Sequence, residues 1–310
     1  MSLISVITAC YNEEENVEEV YKQVKSIFDG LKKYSYEHIF IDNSSKDKTV
    51  QILKDIAKKD KNVKIIVNAR NFGHIRSPNY AFLQAKGDAV TIVAADLQDP
   101  PAMIADFLKK WEEGYKIVVA IKRNSEESGL MLALRRFYYN LAKKLSEVEL
   151  LQNFNGFGLY DKKIVEILRE IDDPYPYFRG LICDIGFERA EILYDQPKRA
   201  KGTTKNNFYT LYDMAMLGIT NHSKIPLRLA TLIGFLLSFL NIVIAFFYFF
   251  YKLLFWYEFQ VGIAPLVIGL FFFSSVQLFF IGIVGEYLGS IYTRIQRRPL
   301  VIEKERINFD

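Results

Sequence analysis

Short apolar runs alternate with amphipathic stretches over the first 120 or so positions of the chain. Residues 3–9 are apolar. Polar Tyr11-Asn12-Glu13-Glu14-Glu15-Asn16 follows, and then Val17, Val20, Val24 and Ile27 recur at helical spacing up to Gly30. This pattern predicts a strand, a polar turn and a helix packed by one face. It recurs as strand 39–42 with helix 50–58, strand 63–67 with a helix to Lys86, strand 89–95 with helix 101–111, and strand 116–121. Alternation at this spacing predicts a doubly wound, largely parallel α/β sheet. The run 89–95 is rich in β-branched residues and apolar on both faces, as a buried parallel strand should be.

The last third of the chain has another pattern. Between positions 229 and 285 only Lys252 and Glu258 are charged, although the whole chain is 25% charged. Positions 229–251 would span about 34 Å as a helix, and 261–285 are as long, so each run can cross a bilayer. Arg228 precedes the first run and Arg294, Arg297 and Arg298 follow the second, which predicts that both flanks are cytoplasmic. Tyr251, Trp256 and Tyr257 suit an aromatic belt on the far side. The pattern divides the chain into a cytosolic domain (1–205), a juxtamembrane amphipathic segment (206–228), two transmembrane helices (229–285) and a cytosolic tail (286–310). Polar Asn241, Ser274, Ser275 and Gln277 in the spans offer a means of homo-oligomer formation.

Composition narrows the choice of partner. A net charge of +4 is too small to argue for nucleic acid, and no interleaved basic and aromatic motif accompanies it. Cys10 and Cys183 read as reduced core residues. The opening apolar stretch runs straight into acidic sequence, unlike a secretory signal, so the first domain is expected in the cytosol.

Candidate chemistry sits where apolar runs stop. The run 89–95 ends in Asp96, Gln98 and Asp99 before Pro100-Pro101. Oxygen ligands at a strand's carboxyl end suit Mg²⁺ or Mn²⁺ shared with substrate phosphates; the plainer reading is an Asp capping the next helix. Strand 39–42 ends in Asp42-Asn43-Ser44-Ser45-Lys46-Asp47-Lys48-Thr49, where Asp47 can cap the following helix. The glutamates after Tyr11 also suit a helix start. Three strands ending in polar clusters favour a nucleotide site over a purely structural sheet.

These segments together resemble the GT-A nucleotide-sugar glycosyltransferases, in particular the polyprenyl-phosphate branch. The family's Pro-x-Tyr-Asn-Glu appears as Ala9-Cys10-Tyr11-Asn12-Glu13, its Asp-Asp-Gly-Ser-x-Asp-x-Thr as the run from Asp42 to Thr49, and its Asp-x-Asp-Leu-Gln-x-Pro-Pro as Ala94-Ala95-Asp96-Leu97-Gln98-Asp99-Pro100-Pro101. The resemblance covers nearly the whole chain. It implies donor binding by Ala9, Tyr11, Glu13, Asp42 and Arg70, and a metal held by Asp96 and Gln98. Ala94 replaces the first carboxylate of the metal motif, and Asn43 replaces the second acid of the base-recognition turn.

On the acceptor side, Lys122-Arg123 and Leu134-Arg135-Arg136 flank a polar loop. The plain reading is a solvated basic face. The resemblance implies that Arg123 and Arg136 hold the acceptor phosphate, with Arg135 a rival, and guanidinium forks match phosphate geometry. Some relatives carry an Asp where this chain has Gly156; Asp161, five residues on, is also placed to cap a helix. Arg199-Ala200-Lys201-Gly202-Thr203-Thr204-Lys205 matches the family's Arg-x-x-Gly-x-Ser-Lys loop. A basic loop with a central glycine can close on a diphosphate through Arg199 and Lys205, or meet anionic lipid. The expectation is an inverting enzyme that moves one sugar from a UDP-sugar to a polyprenyl phosphate, such as undecaprenyl phosphate, at the cytoplasmic membrane face. A processive polysaccharide synthase would need more spans and a Gln-x-x-Arg-Trp motif, which neither Trp111 nor Trp256 supplies. A non-catalytic scaffold that kept the fold is the other alternative, with Ala94 as its best argument.

Overall fold

The computed structural model of the protein describes residues 1–123, 151–197, 216–218, 220–221, 223–255, 263–296 and 298–309. Its strands are β1 (Ser2–Cys10), β2 (Tyr34–Asp42), β3 (Val63–Asn68), β4 (Ala89–Ile92), β5 (Ile117–Lys122), β6 (Gly158–Asp161), β7 (Arg189–Tyr194) and β8 (Glu303–Ile307). They form one sheet in the order β7-β5-β6-β4-β1-β2-β3-β8. β1 is parallel to β2 and β4, β2 to β3, and β5 to β7; β6 is antiparallel to β4 and β5, and β8 to β3. The carboxyl ends of β1 to β5 and of β7 therefore share one edge, and this edge carries the site.

Side chains alternate across the strands, and both faces are covered. On β5, Val118 and Ala120 join Val20 and Val24 of α1 (Val17–Gly30) and Phe107 of α4 (Ile104–Glu112). Ile117 and Val119 point the other way, to Phe82 of α3 (Gly73–Gln84), Val165 of α5 (Lys162–Ile171) and Ile182 of α6 (Phe178–Asp184). The remaining helix, α2 (Thr49–Lys59), packs Leu53 and Ala57 on Phe40 and Ile65. Each fully buried side chain of this size contributes about 1.5–3 kcal/mol. Phe107→Ala would empty the α4 contact at a cost of about 3–5 kcal/mol.

Two strands differ in extent from the pattern. β2 starts at Tyr34 rather than 39, because its polar residues are satisfied internally. Glu37 accepts from Ser5 Oγ at 2.5 Å, the Lys86 N–H at 2.8 Å and Lys64 Nζ at 2.5 Å, and Thr8 Oγ1 lies 2.9 Å from His38 Nε2. Burial depresses the His38 pKa to about 3, so its imidazole is neutral. β4 stops at Ile92 rather than 95. The Val93 N–H still donates to Ile7 O at 2.9 Å, but the Leu97 N–H then donates to Ala94 O at 3.2 Å and closes a turn.

Two long helices, α7 (Ile225–Leu254) and α8 (Ile263–Ile295), are long and apolar enough to cross a membrane. Large apolar side chains such as Phe235, Leu236 and Phe279 are exposed along them. α8 continues through Glu286 into the predicted tail, and the chain then rejoins the sheet as β8. Ala69 N–H donates to Ile302 O, Lys54 pairs with Glu305 at 2.6 Å, and Asn308 Nδ2 donates to the carbonyls of Ala57 and Val63 at 2.9 Å. The start of α8's exit is held as well: Tyr287 Oη donates to Ser223 O, and Arg294 pairs with Asp173 at 3.1 Å. Residues 216–218 and 220–221 of the amphipathic segment are helical. Its earlier part, with Trp256, Tyr257 and Arg297, lies outside the described residues.

Candidate active site

The loops after β1 and β2 form one unit. Asn12 N–H donates to Ser45 Oγ at 2.8 Å, and Asn12 Oδ1 accepts from the Lys46 N–H at 2.8 Å. Glu13 N–H donates to Thr49 Oγ1, Glu14 N–H to Asp47 Oδ2, and the Lys48 N–H to Glu14 Oε2. Asn12 and Ser44 have φ values of 54° and 66°, so both loops turn through the left-handed region that short polar residues tolerate. Ala9 and Tyr11 lie on the strand end and loop beside Asp42, since Cys10 pairs with Asp42 across β1 and β2. Glu13 has the helix-start role its sequence suggests: Oε2 accepts from Asn16 Nδ2, and its carbonyl accepts from the N–H groups of Asn16 and Val17. Asp47 accepts from the Thr49 N–H at 3.0 Å, but the N-cap position of α2 falls on Lys48, so Asp47 is not the capping residue its sequence position suggests.

Asp42 is fully buried, and Ser45 donates to it from its N–H at 2.9 Å and from its hydroxyl. Burial raises its pKa, and the bonds from Ser45 and from the Ser44 N–H offset part of that rise. Beyond it, Asn43 reaches across to the loop after β3. Its Nδ2 donates to Asn71 Oδ1 at 2.9 Å and Gly73 O at 3.1 Å; its Oδ1 accepts from the Phe72 N–H at 2.8 Å and Asn68 Nδ2 at 3.1 Å. Arg70 lies on this loop, 4.0 Å above the Phe72 ring, with Nη1 donating to Asn71 O at 3.0 Å. The donor candidates Ala9, Tyr11, Glu13, Asp42 and Arg70 thus occupy three neighbouring strand ends.

Next along the edge, the turn after β4 carries Asp96 and Gln98, both half-buried. Asp96 Oδ1 accepts from the Gln98 N–H at 3.1 Å, and Leu97 between them has φ 59°. Among the described residues no group of three or more His, Cys, Asp or Glu side chains is arranged to hold a metal. One carboxylate and one amide oxygen are hard donors that suit Mg²⁺ or Mn²⁺ when a diphosphate and waters complete the shell. The residues fit an ion that arrives with the nucleotide, and they do not form an all-protein cage.

Asp99, in the same turn, is buried and ties the β4 turn to the other half of the edge. It accepts from Asn155 Nδ2 at 2.9 and 3.2 Å and from Tyr194 Oη at 2.9 Å. Burial raises its pKa, which the bonds from Asn155 and Tyr194 partly offset. Tyr194 closes β7, and its carbonyl accepts from the Arg123 N–H at 2.9 Å. Among the described residues the Arg123 guanidinium makes an exposed pair with Asp195 at 3.7 Å, worth at most about 1 kcal/mol. Arg135, Arg136, Arg199 and Lys205 lie outside the described residues.

Asp161 belongs to the opposite edge, where it pairs with Ala89 across β6 and β4. It caps α5, accepting from the Lys163 N–H at 3.0 Å, and also accepts from Trp111 Nε1 at 2.7 Å and Lys116 Nζ at 2.9 Å. Burial opposes its ionisation, yet the bonds from Trp111, Lys163 and Lys116 hold the carboxyl below the usual range. Gly156 has φ 101° with only ordinary contacts where a Cβ would stand, so the backbone there, not lack of space, favours glycine. Sequence reasoning did not find Asn43's hydrogen-bond role, nor the Asp99, Asn155 and Tyr194 cluster. Its one signal was the polar cluster ending the 89–95 run.

An α/β sheet with these turns on its carboxyl edge is the arrangement of a GT-A glycosyltransferase domain. Residues 5–173 match glycosyl transferase family 2, and the chain belongs to that family and is a glycosyltransferase. An uncharacterized glycosyltransferase of Synechocystis sp. is 32% identical over 300 residues, covering 96% of this chain and 94% of the relative. The SfII prophage-derived bactoprenol glucosyl transferase of Shigella flexneri is 31% identical over 303 residues, covering 97% of each. A mycobacterial protein of known crystal structure shares the fold, with TM-score 0.50 and 17% identity over 71% of this chain and 73% of its own.

Proposed function

We propose that this glycosyltransferase moves one sugar from a UDP-sugar to the phosphate of a polyprenyl carrier, undecaprenyl phosphate in the first instance, at the cytoplasmic face of the cell membrane. The observation that carries the reading is the path of the chain. It leaves the catalytic sheet after β7, runs through two apolar helices and returns to the same sheet as β8. A hairpin that begins and ends on one sheet puts both of its ends on one side of a bilayer, with the domain and both termini there. Such an enzyme meets a water-soluble donor and the phosphate of a lipid-borne acceptor at the same face of the bilayer. The full-length similarity to a bactoprenol glucosyl transferase supports the lipid acceptor.

In this reading the joined loops around Tyr11, Glu13 and Asp42, with Ala9 beside them, bind the nucleotide, and Arg70 closes over it. Asp96 and Gln98 would hold Mg²⁺ or Mn²⁺, which when bound neutralises charge on the departing diphosphate. Arg123 and Arg136 hold the lipid phosphate, while Arg199 and Lys205 close on the donor diphosphate. A phosphate oxygen attacks the anomeric carbon from the face opposite the nucleotide. The new carbon–oxygen bond forms as the bond to UDP breaks, UDP leaves with the electron pair, and the configuration inverts. A phosphate monoester with a second pKa near 6 carries close to two charges at neutral pH. No proton has to be removed, so no general base is required.

The test is UDP release by purified full-length chain in detergent. It should rise severalfold on adding undecaprenyl phosphate and not on adding undecaprenol. Equal stimulation by the alcohol, or none by the phosphate, contradicts the assignment.

A further inference from the structure

The side chain of Asn43 is buried, and its orientation is fixed by backbone groups. The atom beside Gly73 O at 3.1 Å has to be the donor nitrogen, and the atom beside the Phe72 N–H at 2.8 Å has to be the acceptor oxygen. The same oxygen takes Asn68 Nδ2, which also donates to Ser77 Oγ of α3, and the same nitrogen meets Asn71 Oδ1. One carboxamide therefore ties the end of β2 to the end of β3, to the 70–73 loop and, through Asn68, to α3.

That loop carries Arg70, whose guanidinium has two contacts within it: the Phe72 ring and Asn71 O. Both contacts belong to residues that Asn43 holds. Gly73 ends the loop at φ 87° with open space where a Cβ would stand, so it is the backbone conformation that favours glycine at this bend. A carboxylate at position 43 would keep the bonds from Phe72 and Asn68. Its second oxygen, however, would stand against Gly73 O and Asn71 Oδ1, which are both acceptors. Asn71 cannot turn its amide to compensate without losing the Gly73 N–H, which its Oδ1 accepts at 2.8 Å.

We propose that Asn43 is a positioning residue for donor binding: its carboxamide sets the 70–73 loop, and with it Arg70, against the donor nucleotide, and a carboxylate cannot take its place. This rests on the reading of the β1, β2 and β3 ends as the nucleotide site. It follows that the departure from an acid at this position serves the setting of the loop.

The experiment measures UDP affinity of the full chain in detergent, and KM and kcat for the UDP-sugar, between pH 5.5 and 8.5, each variant expressed relative to wild type. The charged and titratable groups on the elements around position 43 are Asp42 on the same strand, Cys10 on β1, Glu13 and Asp47 on the joined turns, and Arg70, His74 and Arg76 on the loop and α3; Asn43→Ala adds no charge beside them and is the reference for their own pH dependence. Asn43→Asp should weaken UDP binding about tenfold at pH 8, with kcat at saturating donor changed far less. The deficit should shrink as pH falls, because a buried acid has a raised pKa and its neutral form can donate to Gly73 O. Asn43→Ala should be weakened at every pH with no recovery. Asn71→Ala, at an exposed position outside the core, should weaken UDP binding in the same direction, which keeps the test alive if Asn43→Asp does not fold. Wild-type affinity in Asn43→Asp at pH 8, identical pH-independent deficits in Asn43→Asp and Asn43→Ala, or wild-type affinity in Asn71→Ala would overturn the proposal. Wild type that binds UDP but transfers no sugar would refute the transfer reading and leave this test standing; wild type that binds no UDP overturns both.

Discussion

In the proposed metal site Asp96 is the one carboxylate of the motif, since Ala94 occupies the other position. Asp96→Ala should therefore reduce transfer by at least about a thousandfold, and Asp96→Asn, which keeps the Gln98 turn bond, should fold normally yet be nearly as inactive. Activity persisting in Asp96→Ala, or in excess chelator, would remove Asp96 from the metal site. Asp161 gives the opposite expectation. Its carboxyl is on the far edge of the sheet, so Asp161→Asn should keep most activity while losing stability. Its pKa is depressed in the folded chain, so the stability it adds is complete above its unfolded value of about 3.9. That stability is lost as pH falls through the lower folded value. The gap in unfolding free energy between wild type and Asp161→Asn should thus be flat from pH 5 to 8 and close below about pH 4. A gap that widens in acid would contradict the assigned bonds. Residues such as Tyr11, Asp42 and Asp96 were legible because each stands where an apolar run stops. Asn43 and Asp99 were not: Asn43 meets Asn71 across 28 positions and Asp99 meets Tyr194 across 95, and no local pattern records such a pairing.

At the scale of elements, the apolar runs and the helical patterns sufficed for β1, β3 and β5 and for the helices between them, because the apolar positions there face the covered sides of the sheet. β2 was read short because Glu37 and His38 interrupt its apolar run, and their partners lie on β1, on β3 and in the turn before β4. β8 gave no apolar signal, since an edge strand reading Glu-Lys-Glu-Arg-Ile is what keeps an exposed edge from pairing with other chains. The cluster of Asp99, Asn155 and Tyr194 links three elements, β4, β6 and β7, and sets the segment bearing Arg123. Tyr194→Phe should cost about 0.5–1.5 kcal/mol of stability in urea unfolding. It should also lower kcat/KM for the lipid phosphate while leaving the donor KM in place. A change confined to the donor KM would show that this cluster serves the nucleotide half instead.

Among the described residues the molecule is a sheet closed at one edge by the strand that returns from the two long apolar helices. Ending the chain at residue 300 should expose the edge of β3 from Ile65 to Asn68, and the truncated protein should unfold at lower urea and aggregate. If it kept wild-type stability, β8 would be dispensable to the fold. The basic loop sits between the two parts of the molecule in sequence, and its two readings separate by environment. Arg199→Ala should lose activity in detergent as well as in anionic vesicles if it closes on the diphosphate, and only in vesicles if it serves lipid attraction. The sheet was legible in the alternation of apolar runs with helical patterns and the apolar hairpin in the scarcity of charge between 229 and 285, whereas the return of the tail to the sheet was not. The measurement that bears most directly on the central claim is the intact mass of the lipid product. Purified full-length chain is incubated with undecaprenyl phosphate and each of a panel of UDP-sugars. The account predicts that at least one donor yields undecaprenyl phosphate heavier by a single sugar residue, with no longer species, and that Asp96→Ala yields none. Polymer on the lipid, or no lipid-linked sugar from any donor while the protein binds UDP, would contradict it.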